Sequence, residues 1–159
     1  MALYNLSAFF ALLPPNRPLL GIDPGAKRIG VALSDVNRRI ASPYGTLFRT
    51  KLKQNAAEIS AIALREGVCG LIIGLPLDAT QALGPKAQAA RDWAHGVSKE
   101  TGLNVAMVDE SYSTSETHEF LIEAGISRAR RAEIVDKLAA ANILQRALDS
   151  IKDSSPVTE

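Results

Sequence analysis

The stretch Leu20-Gly21-Ile22-Asp23-Pro24-Gly25-Ala26-Lys27-Arg28-Ile29-Gly30-Val31-Ala32 decides how the chain folds. Residues 19–22 are apolar apart from a glycine, Asp23-Pro24-Gly25 breaks the run, and an apolar run resumes at 29–33. A buried strand, a tight turn and a second strand follow from that pattern, so the two strands pair as an antiparallel hairpin. Residues 34–37 supply another turn. Residues 40–47 read as a third strand, and Pro43 and Gly45 place it at an edge or a bulge, because proline cannot donate to a central ladder.

Beyond residue 50 the spacing of apolar residues changes. Ala56, Ile59, Ala63 and Leu64 recur at helical intervals over 52–66, and Gly67 stands where a C-cap belongs. A strand over 68–73 is stopped by Gly74 and Pro76, and a loop over 75–84 leads to a helix over 85–99 with Pro85 in its first turn and Gly102 after its end. A strand over 105–108, a helix over 115–124 ended by Gly125, and an Ala-rich helix over 129–151 complete the pattern. Three antiparallel strands followed by alternating helices and parallel strands predict an α/β fold, a mixed five-stranded sheet with helices on both faces. Upstream, residues 1–13 are apolar, but no Lys or Arg precedes them, Asn5 and Ser7 interrupt them, and Pro14-Pro15 closes them short of a membrane span. They read as a helix packed on the domain. The expected organisation is a helical extension over 1–17, one domain over 18–151, and a polar tail over 152–159 that frays.

With 159 residues, 47% hydrophobic and 22% charged, the chain has the composition of a globular domain and not of a disordered, collagenous or membrane-spanning one. Its single cysteine, Cys69, sits in an apolar run and can form neither an internal disulfide nor a four-thiolate zinc site, which reads as a small core residue in a cytoplasmic protein with no membrane partner. The net charge of +1 is a cancellation. Over residues 27–53 seven cations (Lys27, Arg28, Arg38, Arg39, Arg49, Lys51 and Lys53) face Asp35 alone, whereas over 54–123 four basic residues face ten acidic ones. Arg128, Arg130 and Arg131 form a second basic cluster. Such flanks suit a phosphate backbone and predict salt-sensitive nucleic-acid binding.

In open α/β sheets ligands gather at the carboxyl ends of strands. Asp23 follows the first strand, Glu110 follows the last with Asp109 beside it, and Asp136 lies in the final helix among Ile134, Val135, Leu138 and Ala139. A carboxylate near a packed face needs a partner. Three acids at one sheet edge repel one another unless a cation neutralises them, and hard divalent ions take such oxygen donors. Against this, Asp23 can be only a turn former, Glu110 a solvated strand end, and Asp136 a partner of Arg131 or of groups around Lys137. His95 and His118 have no second His or Cys at ligand spacing, so a zinc site is not expected.

Four blocks then carry a resemblance: the hairpin quoted above, Gly74-Leu75-Pro76-Leu77, Val108-Asp109-Glu110, and Val135-Asp136-Lys137-Leu138-Ala139-Ala140-Ala141-Asn142-Ile143-Leu144-Gln145. In this order, over residues 19–150, they resemble the YqgF (RuvX) family. The resemblance implies an RNase H-like fold and a nuclease, tied to maturation of the small-subunit ribosomal RNA precursor or to Holliday-junction resolution. It implies Asp23, Glu110 and Asp136 as catalytic acids holding Mg²⁺ or Mn²⁺, and Lys27, Arg28, Arg128 and Arg131 as contacts to structured nucleic acid, either pre-rRNA or branched DNA. It further implies that Gly25 and Gly30 let backbone approach the metal or a phosphate, that Gly74-Leu75-Pro76 shapes a loop at the same edge, and that Thr114 caps the helix after it. Two positions depart from the family pattern: Ser111 stands where an arginine is usual, and 78–82 reads Asp-Ala-Thr-Gln-Ala. Two other readings compete with the nuclease, a non-catalytic ribosome-assembly factor and an ATP-binding relative of actin-like kinases. Cutting a four-way junction implies a homodimer, and trimming a precursor needs only a monomer.

Overall fold

The computed structural model describes residues 3–76, 84–110 and 124–154. In chain order they form β1 (Leu3–Tyr4), α1 (Leu6–Leu12), β2 (Leu20–Pro24), β3 (Arg28–Ser34), β4 (Ala41–Phe48), α2 (Leu52–Glu66), β5 (Gly70–Pro76), α3 (Pro85–Thr101), β6 (Asn104–Glu110) and α4 (Arg128–Ser154). The sheet order is β1-β6-β5-β2-β3-β4. The β2–β3–β4 meander is antiparallel, and β2–β5, β5–β6 and β1–β6 are parallel pairs. The mixed five-stranded sheet expected from the sequence is present, and Leu3–Tyr4 adds a two-residue sixth strand at its edge.

Alternation along the strands sends side chains to two different helical layers. Leu20, Ile22, Ile29, Val31, Leu71, Ile73 and Val105 pack with Ile59 of α2 and Trp93 and Val97 of α3. On the other face Leu19, Ala32, Ile72 and Ala106 meet Phe9 of α1 and Ala140, Ile143, Leu144 and Ala147 of α4. Gly21 lets α4 come close, since a Cβ there would stand 2.6 Å from Leu144 Cβ. Cys69 is a buried free thiol within this second layer.

Several local signals act as their chemistry dictates. Gly67 (φ 74°) and Gly102 (φ 75°) end α2 and α3 in the left-handed region, each N–H bonding back to a helix carbonyl. Between Val31 and Ala32 the β3–β4 register shifts, so that Gly45 and Pro43 are the successive partners and Tyr44 is the extra residue of a bulge on the edge strand. The turn before β4 is held by Asp35, whose Oδ1 accepts from the Arg39 N–H at 2.8 Å and the Ile40 N–H at 3.0 Å. Lys51, the N-cap of α2, makes no side-chain capping bond, and buried Asn55 ties the helix to the segment before it. Its Oδ1 accepts from the Thr50 N–H at 2.9 Å and its Nδ2 donates to the Phe48 carbonyl at 3.0 Å.

The boundaries differ from the sequence reading by one or two residues at several strand and helix ends, β2 running on to Pro24 and β6 to Glu110 among them, and by more in three places. Residues 74–76, expected to open a loop, continue β5 as far as Pro76, because β6 on one side supplies ladder partners through Glu110. The N-terminal apolar run divides into β1 and a seven-residue helix capped by the Asn5 side chain, which accepts from the Ala8 N–H at 2.8 Å. The last helix runs to Ser154, past the start of the expected fraying. The helix expected over 115–124 and the Thr114 cap lie outside the described residues, as does the 78–82 departure. Among the described residues no helix is long and apolar enough to cross a membrane.

Candidate active site

Asp23 is the fourth residue of β2 and is half-buried. Since Leu20 and Ile22 face α2 and α3, alternation puts Gly21 and Asp23 on the α4 face. Directly across the hairpin Asp23 pairs with Gly30. The backbone of α4 rests on that glycine: a Cβ on Gly30 would stand 1.9 Å from the Asp136 carbonyl oxygen. Asp136 is therefore brought onto the same face of the same hairpin rung as Asp23.

The partner that Asp136 requires is Arg28. Its Nε donates to Asp136 Oδ2 at 2.8 Å, with the two side chains 32% and 22% exposed. The sequence alone offers Arg131 and the neighbours of Lys137 as alternatives. Arg131 instead donates through one terminal nitrogen to the Ile126 carbonyl at 2.8 Å, and its Nε is buried with no hydrogen-bond partner among the described residues.

Glu110 closes β6, paired with Pro76 of β5. Its backbone position continues the alternation that places Ala106 and Val108 on the α4 face. Two strand spacings, about 10 Å, separate β6 from β2. The Glu110 side chain is outside the described residues, and among the described ones no three His, Cys, Asp or Glu side chains gather closely enough to hold a metal. Asp109 is exposed, and its carbonyl accepts from Arg146 of α4 at 2.7 Å.

The cations at this edge have different employments. Lys27 is exposed at the hairpin tip, and its carbonyl accepts from the Arg49 N–H at 2.9 Å. The Arg49 guanidinium donates to the Gly25 carbonyl at 2.9 Å and lies over the Trp93 ring at 5.3 Å. Arg128, the first residue of α4, is exposed. Arg38, counted with the basic meander, donates to the carbonyls of Arg17 and Pro14 and fixes the segment before β2.

The two glycines expected to leave room for a metal or a phosphate are filled from within. A Cβ on Gly25 would stand 2.5 Å from the Arg28 carbonyl, and the space at Gly30 holds α4. Their absent side chains bring protein backbone together.

A cleft of about 140 Å³ that the sequence pattern does not announce opens beside Arg28, lined by Arg28, Gly45, Thr46, Phe48, Glu133 and Lys137. The one signal that could point to it is the hairpin register, which sets Phe48 opposite Arg28.

The donor set suits a hard divalent cation by its chemistry, carboxylates at one sheet edge, with Arg28 as the competing positive partner that Asp136 would release. A sequence profile described as "RuvX: Holliday junction resolvase" matches residues 17–150. A protein of Acidiphilium cryptum (strain JF-5) named "Putative pre-16S rRNA nuclease" is 53% identical over 156 residues, 98% of this chain and 99% of that protein. A protein of the same name from Gluconacetobacter diazotrophicus is 53% identical over 151 residues, covering 94% of this chain and 98% of its own length. Among solved structures, Thermus thermophilus RuvC in complex with a Holliday junction substrate superposes with a TM-score of 0.53 at 16% identity, covering 87% of this chain and 98% of that one. That likeness shows the RNase H-like fold.

Proposed function

The chain belongs to the RuvX family, and from that premise we propose that it is a divalent-metal-dependent nuclease that processes the precursor of 16S ribosomal RNA. The observation that carries the reading is the contact between α4 and Gly30, which sets Asp136 on the hairpin rung of Asp23 at the carboxyl edge of the sheet.

In this reading Asp23, Glu110 and Asp136 hold Mg²⁺ or Mn²⁺. When bound, the ion supplies Lewis-acid stabilisation of charge on the phosphoryl and leaving oxygens and lowers the pKa of the attacking water. The residues of the chain do the rest. Arg28 orients the Asp136 carboxylate through a charge-assisted hydrogen bond and offsets its charge until the site is loaded. Lys27 and Arg128, both exposed, receive the phosphates on either side of the acids. Arg131 steadies the first turn of α4 through the Ile126 carbonyl and adds its charge to the basic cluster that faces the substrate. Ser111 stands in the sequence where the family pattern has an arginine, so the chain carries no cation at that position.

One cut in a precursor strand needs one site, so a monomer in the cytoplasm is sufficient, with no membrane partner. The family description favours a second reading, resolution of Holliday junctions by a homodimer. Both are tested by offering pre-16S rRNA and a four-way DNA junction to the full-length protein with Mg²⁺ or Mn²⁺, beside Asp23→Asn. Cleavage of the precursor that drops to background in the variant is expected. Cleavage of the junction alone selects the resolvase, and undiminished cleavage by Asp23→Asn sinks the metal-site assignment. RNA binding that persists in chelator, with no cleavage of either substrate, would make the chain an assembly factor.

A further inference from the structure

We propose that Phe48 is a stacking platform for an unpaired base of the bound nucleic acid, next to the phosphate held at the acids. The inference rests on the nuclease reading and adds to it a preference for single-stranded substrate. Phe48 is 75% exposed at the end of β4, the last strand of the sheet. An aromatic ring left in water forfeits the gain of burial, and this one borders a charged cleft in which a stacking partner would restore it.

Its direction follows from the register. Phe48 is the direct partner of Arg28, and direct partners of an antiparallel pair share a face. Arg28 turns to Asp136 of α4, so Phe48 stands on the α4 face as well, and it lines the same cleft as Glu133 and Lys137. The backbone beneath it is fixed: buried Asn55 bonds the Phe48 carbonyl at 3.0 Å and the Thr50 N–H at 2.9 Å. A ring on a rigid base loses little freedom when a second ring stacks on it.

Charge identifies the occupant. Arg28 and Lys137 line the cleft with Phe48, and Lys27 is exposed at the tip of the hairpin next to Arg28. Phosphate-binding cations beside one bare aromatic ring match a strand with unstacked bases, whose stacking is tolerant of sequence. In a duplex the base faces are already occupied.

The test measures binding of a fluorescent single-stranded RNA, and of a blunt hairpin duplex of equal length, to the full-length protein in chelator. Phe48→Ala, Phe48→Leu and Phe48→Trp are compared with wild type. Phe48→Ala and Phe48→Leu are expected to weaken single-strand binding about tenfold and leave duplex binding unchanged, while Phe48→Trp retains wild-type affinity. The slope of log K against log salt should be the same in all four, because every phosphate-binding cation is retained. Equal single-strand affinity of Phe48→Ala and wild type overturns the proposal, as does full rescue by leucine, which fills space but does not stack. A change in sedimenting mass with affinity intact also overturns it, by showing that the ring faces a second copy. If wild type binds neither probe, the nuclease reading falls and takes the platform with it. If wild type binds and the variants match it, only the platform falls.

Discussion

Gly30 is where α4 rests on the hairpin, because a side chain there would have to occupy the space of the Asp136 carbonyl. Gly30→Ala forces either β3 or α4 to move, and neither contacting atom is the yielding end of a flexible side chain. The expected cost is about 3 kcal/mol, at the upper end of overpacking effects. Gly45→Ala is the matched control, since nothing lies within 4 Å of its Cβ position. Urea denaturation should show a large drop in midpoint for the first and about none for the second. A wild-type midpoint for Gly30→Ala would mean that α4 does not rest on the hairpin. The Arg28–Asp136 pair is worth less to stability. Both side chains are partly exposed, so solvent screens the pair and its contribution is about 1 kcal/mol at most. Its importance is in orienting a carboxylate.

At the scale of elements, the turn from β3 to β4 has a titratable clasp. Backbone hydrogen bonds, the one from Ile40 first, hold the Asp35 carboxyl below its ordinary value of 3.8, against a smaller opposing effect of burial. A lowered folded-state value means stability that is present above pH 3.8 and lost as the pH falls below it, through the folded value. The Tm advantage of wild type over Asp35→Asn should accordingly be largest near neutrality and vanish in acid; an advantage independent of pH would place the stabilisation elsewhere. The frame of the molecule is readable in the sequence because its signals are local. The Asp23-Pro24-Gly25 break announces the hairpin, although β2 runs on through Pro24 and the turn itself lies at 25–27, while Gly67 and Gly102 end helices and Pro43 with Gly45 marks the bulged edge. What is not readable depends on distant partners. Strand β5 runs on to Pro76 because β6 pairs with it, Leu3–Tyr4 becomes a strand because β6 has a free edge, and nothing near Asp136 announces Arg28. The glycine at position 30 shows the limit well: a need for close approach is evident in the residue type, but its partner, a helix and not a phosphate, is a tertiary fact.

Across the whole molecule, near-neutrality conceals a basic end. Some of its cations are engaged internally, Arg38 on the segment before β2 and Arg49 on Gly25 and Trp93. Lys51 and Lys53 are exposed and head α2. Replacing both with Gln should reduce the salt slope of single-strand binding by about 1.4, roughly 0.7 for each phosphate no longer neutralised, while an unchanged slope would remove them from the binding surface. Arg38→Ala should lower stability and leave the slope as it was. The Arg28–Asp136 bond, which joins residues 108 positions apart, has a consequence in time. A chain emerging in order completes the basic β3–β4 hairpin long before α4 exists, and contacts of such long separation form late in folding. On the proposed assignment, a half-made molecule would hold a polyanion but lack the third acid. Capacity to bind would then come before capacity to cut, and local unwinding of the first turns of α4 would return a finished molecule to that earlier, harmless condition.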